Sequence, residues 1–171
     1  MIMGRELEKY NVVDSLGKVI GKISDVIIDT TKKKWDVKEI IVTKRMVKGK
    51  RVFSFSGLKK FDESEEKIEL KEGTKLQVFD EEKYSPKYLS MDAVKKRKVF
   101  SSDEEKIGKI YDYVISTKLI PWQVKKILIR PYEDQLKGRR IRLDVENISQ
   151  IKDVIIVKKS KVEVEKQASE E

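Results

Sequence analysis

The chain has 171 residues, 39% hydrophobic and 40% charged, with 39 Lys+Arg against 30 Asp+Glu and a net charge of +9. It contains neither cysteine nor histidine. That excludes disulfides, thiolate nucleophiles, zinc fingers, haem or iron–sulfur ligation by the usual side chains, and histidine acid–base relays. The length admits two modules of roughly 80 residues, each able to fold around its own core. Lys/Glu density without cysteine fits a thermophilic source.

The first nine residues lack the apolar core of a secretion signal, and runs such as Val154–Val157 are far too short to span a bilayer, so a cytoplasmic protein is expected. A strand is predicted near Tyr10–Val13, closed by the turn Asp14–Gly17. Val19–Asp29 mixes alternation with a β-branched run and reads as a long strand. Gly17 to Ile23 does not make a phosphate loop. Three residues separate its glycines where four are needed, and Ile23 stands where Ser or Thr should follow the lysine. The polar stretch Thr30–Lys34 leads into a strand Trp35–Arg45, Lys48–Lys50 turns into Arg51–Ser56, and Lys67–Leu70 closes the module.

The order then repeats. At an offset of 87, Ile20-Gly21-Lys22-Ile23 falls on Ile107-Gly108-Lys109-Ile110, and Asp25, Trp35 and Ile40 fall on Asp112, Trp122 and Ile127. There are 11 identities over the 21 positions from 20 to 40 without a gap, and self-similarity of this kind marks two copies of one unit. The second copy reads as strands at Val99-Phe100, Ile107–Ile115, Trp122–Arg130, Arg140–Val145 and Val154–Val157. From Phe53 onward the offset becomes 90, which places three extra residues in the turn before Arg140. The predicted organisation is a first module over 1–72, a linker over 73–88, a second module over 89–158 and a flexible tail over 159–171. Short strands with turns at regular spacing predict an all-β fold of two tandem small antiparallel barrels.

Gly21 and Gly108, each inside a strand pattern, are expected to mark a bulge or a close backbone approach at a barrel corner. Trp35 and Trp122, held at equivalent positions, are expected to pack over the open end of each barrel. Asp25 and Asp112 recur singly, with no second acidic residue recurring beside either. They read as structural carboxylates in a turn, ladder-edge or salt-bridge role. No catalytic, cofactor-binding or metal-ligating residue is assigned.

The remaining functional signal is charge. Residues 31–60 hold 11 Lys+Arg and two acids, against eight and four in the equivalent window 118–147. Lys32, Lys33, Lys34, Lys44, Arg45, Lys48, Lys50 and Arg51 are therefore the candidate face for RNA or another anionic partner. The alternative is the solvated surface of a Lys-rich protein. Lysine outnumbers arginine there, no aromatic RNA-stacking motif is present, and alternation turns Phe53 and Phe55 inward.

Each copy resembles the PRC-barrel domain found in the photosynthetic reaction-centre H subunit and the ribosome maturation factor RimM. The likeness rests on Gly21-Lys22-Ile23-Ser24-Asp25 and Gly108-Lys109-Ile110-Tyr111-Asp112 with the β run after each, and on Arg51–Phe55 and Arg140–Val145 as the later strand. The resemblance implies a binding module without enzymatic activity or cofactor, which docks protein partners or a second copy through its surface or strand edges. Stand-alone relatives are typical of archaea, and some look like adaptors in FtsZ-based cell division, which is the expected role. The alternative implied by RimM is an RNA- or ribosome-associated factor.

Overall fold

The computed structural model describes residues 1–84 and 86–170. The first half of the chain carries β1 (Ile2–Met3), then the first repeat, β2 (Asn11–Val13), β3 (Val19–Asp29), β4 (Trp35–Thr43), β5 (Arg51–Ser54), β6 (Leu58–Asp62) and β7 (Lys67–Leu70), then β8 (Gln77–Val78). The second half carries β9 (Tyr88–Ser90), then the second repeat, β10 (Lys98–Phe100), β11 (Lys106–Ser116), β12 (Gln123–Pro131), β13 (Arg139–Asp144), β14 (Ile148–Ile151) and β15 (Ile155–Val157), then β16 (Ser169–Glu170). Three short helices interrupt them: α1 (Gly4–Leu7), α2 (Met91–Lys95) and α3 (Lys161–Glu165). The all-β expectation therefore stands at the level of class, with 48% of the chain in strands and 15% in helices.

The long strands form where the β-branched runs predict them. β3 carries Val19, Ile20, Ile23, Val26, Ile27 and Ile28 among its 11 residues, and β4 buries Trp35, Val37 and the run Ile40–Val42. Within each repeat the order is β6-β7-β2-β3-β4-β5 and β14-β15-β10-β11-β12-β13. The register locates the sequence insertion. Glu39 pairs Ser54 while Lys126 pairs Asp144, so the equivalent pair has moved from offset 87 to offset 90 across the β12–β13 loop.

Two expectations need correction. The strands are not all antiparallel: β2 runs parallel to β7 and β10 parallel to β15, because each repeat brings its last strand back beside its first. Nor are there two separate barrels. Sixteen strands of the described residues belong to one sheet that is not closed. β4 and β12 join edge to edge, with Trp35 opposite Val124 and Asp36 opposite Gln123. The Val37 N–H donates to the Trp122 carbonyl at 2.8 Å, and Gln123 Nε2 donates to Asp36 Oδ1 at 2.9 Å. These contacts map onto one another at the repeat offset, as they would across a two-fold axis in a homodimer.

The N-terminal arms are exchanged about the same axis. β1, which precedes the first repeat, pairs with β11 of the second, Ile2 opposite Ile115. β9, which precedes the second, pairs with β3 of the first, Leu89 opposite Ile28. Behind them α1 and α2 bury Leu7 and Val94, 87 positions apart. One apolar core consequently runs through both repeats. Trp122 takes part in it differently from expectation. It is buried but meets Phe55 and Phe61 of the first repeat edge-on, at ring-centroid distances of 5.4 and 5.1 Å, instead of covering its own repeat.

The described residues of the predicted linker, 73–84 and 86–88, take up structure too. β8 pairs with β5, and Phe79, Tyr84 and Tyr88 cover Ile27, Ile41 and Val52 on the outer face of the first repeat. Residues 159–170 of the predicted tail are likewise folded, with Val164 of α3 fully buried and β16 paired to β13. Apolar surface decides both cases, since Val164 and Phe79 have hydrophobic partners to cover. No helix of the described residues is long and apolar enough to cross a membrane.

Candidate functional site

The eight basic residues of the candidate face do not form one surface. Lys32, Lys33 and Lys34 lie in the β3–β4 turn, and Lys44, Arg45, Lys48 and Lys50 lie in the β4–β5 loop. Nine residues of extended β4 separate them, a span of about 30 Å. Spacing along the sequence put them in one window, but a strand carries its two ends apart.

At the turn end, Lys33 and Lys34 line a shallow cleft with Lys125 and Lys126 of the second repeat, rimmed also by Asp144 and Glu146. Lys126 pairs with Asp144 at 3.3 Å and Lys32 with Asp36 at 3.9 Å, so part of that charge is answered within the chain.

The loop end is different. A cavity of about 620 Å3 opens between the start of β3 and the residues after β4, lined by Val19, Ile20, Lys22, Thr43, Lys44 and Arg45. Next to its lining in the chain, Leu16 in the turn before β3 is 91% and Met46 in the loop after β4 96% exposed, and Val19, which lines it, and Val47 are also exposed. Lys50, further along the β4–β5 loop, pairs with Asp92 at 3.7 Å, and Arg51 sits half-buried on β5. The apolar half of this surface is missed by charge counting. Leu16, Met46 and Val47 in polar turns were the signal that could have found it.

The repeat-defining residues lie elsewhere and inside. A Cβ on Gly21 would stand 2.6 Å from the Thr43 carbonyl oxygen, and one on Gly108 would strike the Arg130 carbonyl. Each glycine thus permits the close backbone approach expected of it. Asp25 is buried, accepting the Val26 N–H at 2.8 Å on Oδ1 and the Asp92 N–H of α2 at 2.9 Å on Oδ2. Burial pushes its pKa up to about 7; the two N–H donors oppose that rise and the Asp92 charge adds to it. Asp112 is buried in the same way and accepts the Tyr113 N–H at 2.9 Å. Its Oδ2 has no hydrogen bond, but Arg5 Nε of α1 lies 3.8 Å away. Tyr113 is buried between them, its pKa raised by burial first and by Asp25 and Asp112 next. Both aspartates therefore face the exchanged helix of the opposite arm, Asp25 through the Asp92 N–H and Asp112 through the Arg5 guanidinium, a function in assembly of the fold.

No protein-family model matches this chain, and no curated protein matches it.

Proposed function

We propose that this chain is a non-catalytic, cytoplasmic adaptor built from two PRC-barrel-like repeats, which docks protein partners in an archaeal FtsZ-based division assembly. The observation that carries the reading is the loop end of the first repeat. Leu16 and Met46 are exposed there beside Lys22, Lys44 and Arg45, and exposed apolar side chains gathered at one place mark interaction surfaces. The residues that define the repeat point inward in support of the fold: Gly21, Asp25, Trp35 and their counterparts are buried.

A second reading, an RNA- or ribosome-associated factor, draws on the meeting of Lys33 and Lys34 with Lys125 and Lys126. Salt separates the two. Affinity capture from native lysate with the full chain, eluted in rising salt and after nuclease, is expected to retain division proteins through both treatments. Ribosomal material that leaves on either treatment would overturn the adaptor reading, because phosphate contacts are lost steeply with salt.

A further inference from the structure

The two repeats differ most at one place, and there the second repeat serves as a template for the first. In the second repeat, the chain after β15 crosses the end of the sheet. The Ser102 N–H donates to the Lys159 carbonyl at 2.9 Å, and the Lys161 N–H donates to Asp103 Oδ1 at 3.1 Å. Lys161 Nζ lies 3.5 Å from Glu133. α3 then drops Val164 into the core with Ile107 and Ile141, all three fully buried.

The first repeat has the same end without the cover. Its chain after β7 makes the same first turn, the Lys71 N–H donating to the Gly57 carbonyl as the Lys158 N–H donates to that of Asn147, and β8 pairs with β5 as β16 pairs with β13, but no helix lies between β7 and β8. Ile20, the counterpart of Ile107, remains partly exposed above the 620 Å3 cavity. The surrounding residues have changed in one direction. Arg51 replaces Ile141, Lys44 and Arg45 replace Pro131 and Tyr132, Lys18 replaces Glu105, and Leu16 and Met46 replace Asp103 and Glu133. An end that α3 closes in the second repeat is open, apolar at its floor and basic at its rim in the first.

We infer that this end of the first repeat is a docking groove for a short acidic–apolar amphipathic segment of a partner protein, which lies as α3 lies on the second repeat. The inference rests on the adaptor reading and gives the partner its chemistry. One aliphatic side chain of the segment covers Ile20, as Val164 covers Ile107. Its carboxylates face Lys22, Lys44, Arg45 and Arg51, where α3 instead presents Lys161 to Glu133. Charge complementarity selects the partner and fixes its register, while the buried aliphatic contact supplies affinity.

The probe is a labelled peptide of residues 158–170 carrying Lys158→Glu, Lys159→Glu and Lys161→Glu, titrated into the full chain. Saturable binding is expected, with amide shifts at Ile20, Lys22 and Thr43. A tenfold or greater loss is expected when the peptide carries Val164→Ser, and again when the chain carries Lys44→Glu with Arg45→Glu. Both chain positions are in a surface loop, and an unchanged thermal midpoint would confirm that the variant is folded. Absence of binding, or shifts on the second repeat, would overturn the groove and leave the lysate experiment to judge the adaptor reading. A single-stranded oligonucleotide that occupies the same residues, with a log–log salt slope steeper than about −3, would also overturn it in favour of a nucleic-acid surface.

Discussion

Asp25 and Asp112 occupy equivalent positions and have different neighbours. Burial favours the protonated form of a carboxyl group, and a nearby negative charge adds to that preference. Asp112 has Arg5 at 3.8 Å, whereas the position equivalent to Arg5 in the other arm is Asp92, whose charge pushes Asp25 further up. The Asp25 pKa of about 7 in the fold lies above the ordinary Asp value near 4 in the unfolded chain. Between those values the folded state holds a proton that the unfolded state has released. The stabilisation from Asp25 is therefore complete below about pH 4, falls as pH rises to about 7, and is flat beyond, a total of a few kcal/mol at most. Asp92→Arg would give Asp25 the guanidinium that Asp112 has, while keeping the backbone N–H that Asp25 accepts. The difference between urea midpoints at pH 5 and pH 8 should shrink markedly in that variant. An unchanged difference would mean that Asp25 does not hold its proton. Glycine has an equally local role. Gly21→Ala would place a methyl 2.6 Å from both the Thr43 carbonyl oxygen and Val42 Cγ1. It should cost about 1–3 kcal/mol in a denaturant titration, and Gly108→Ala should cost at least as much.

At the scale of elements, what was legible in the sequence followed from periodicity. β3 and β7 lie where the β-branched and alternating runs put them, and β4, β5 and their counterparts end within a few residues of expectation, because burial of one face imposes the pattern directly. The exchanged arms were not legible. Four or five residues of helix carry no measurable period, and the partner of each arm is some 110 positions away in one case and some 60 in the other. A trace was present. Continued upstream, the offset of 87 pairs Ile2 with Leu89, Leu7 with Val94 and Val12 with Val99, apolar with apolar, although only the last is an identity. The segment 159–171 looks polar enough for a frayed end, and the one Val164 that decides its fate cannot be told from the exposed Val162 without the surface that receives it. The candidate site was legible in its charge and not in its geometry. Composition locates eleven basic residues within thirty, but only the length of β4 shows that they divide between two ends of the molecule.

At the scale of the whole molecule, the exchange makes two copies of a small fold into one cooperative unit. Two independent modules joined by a linker would each open alone, and scanning calorimetry would resolve two transitions. Here each repeat lends its neighbour a strand and a helix, the β4–β12 seam shares backbone hydrogen bonds, and Trp122 is buried among Phe55 and Phe61 of the other half. Opening one repeat would expose Leu7 or Val94 along with that seam, and each side chain brought back into water costs about 1.5–3 kcal/mol. Such losses are large beside the marginal stability of a fold of either half's size. The expected thermogram is one transition whose calorimetric and van't Hoff enthalpies agree. Deletion of residues 1–7, which precede the first repeat in sequence and pack on the second, should lower that single midpoint without splitting it. Two resolved transitions in the intact chain would show that the repeats are thermodynamically separate and that the exchanged arms are a minor ornament on two self-sufficient folds. A single transition would mean that a partner bound at the open end of the first repeat stabilises the second repeat equally, by mass action on the whole unit.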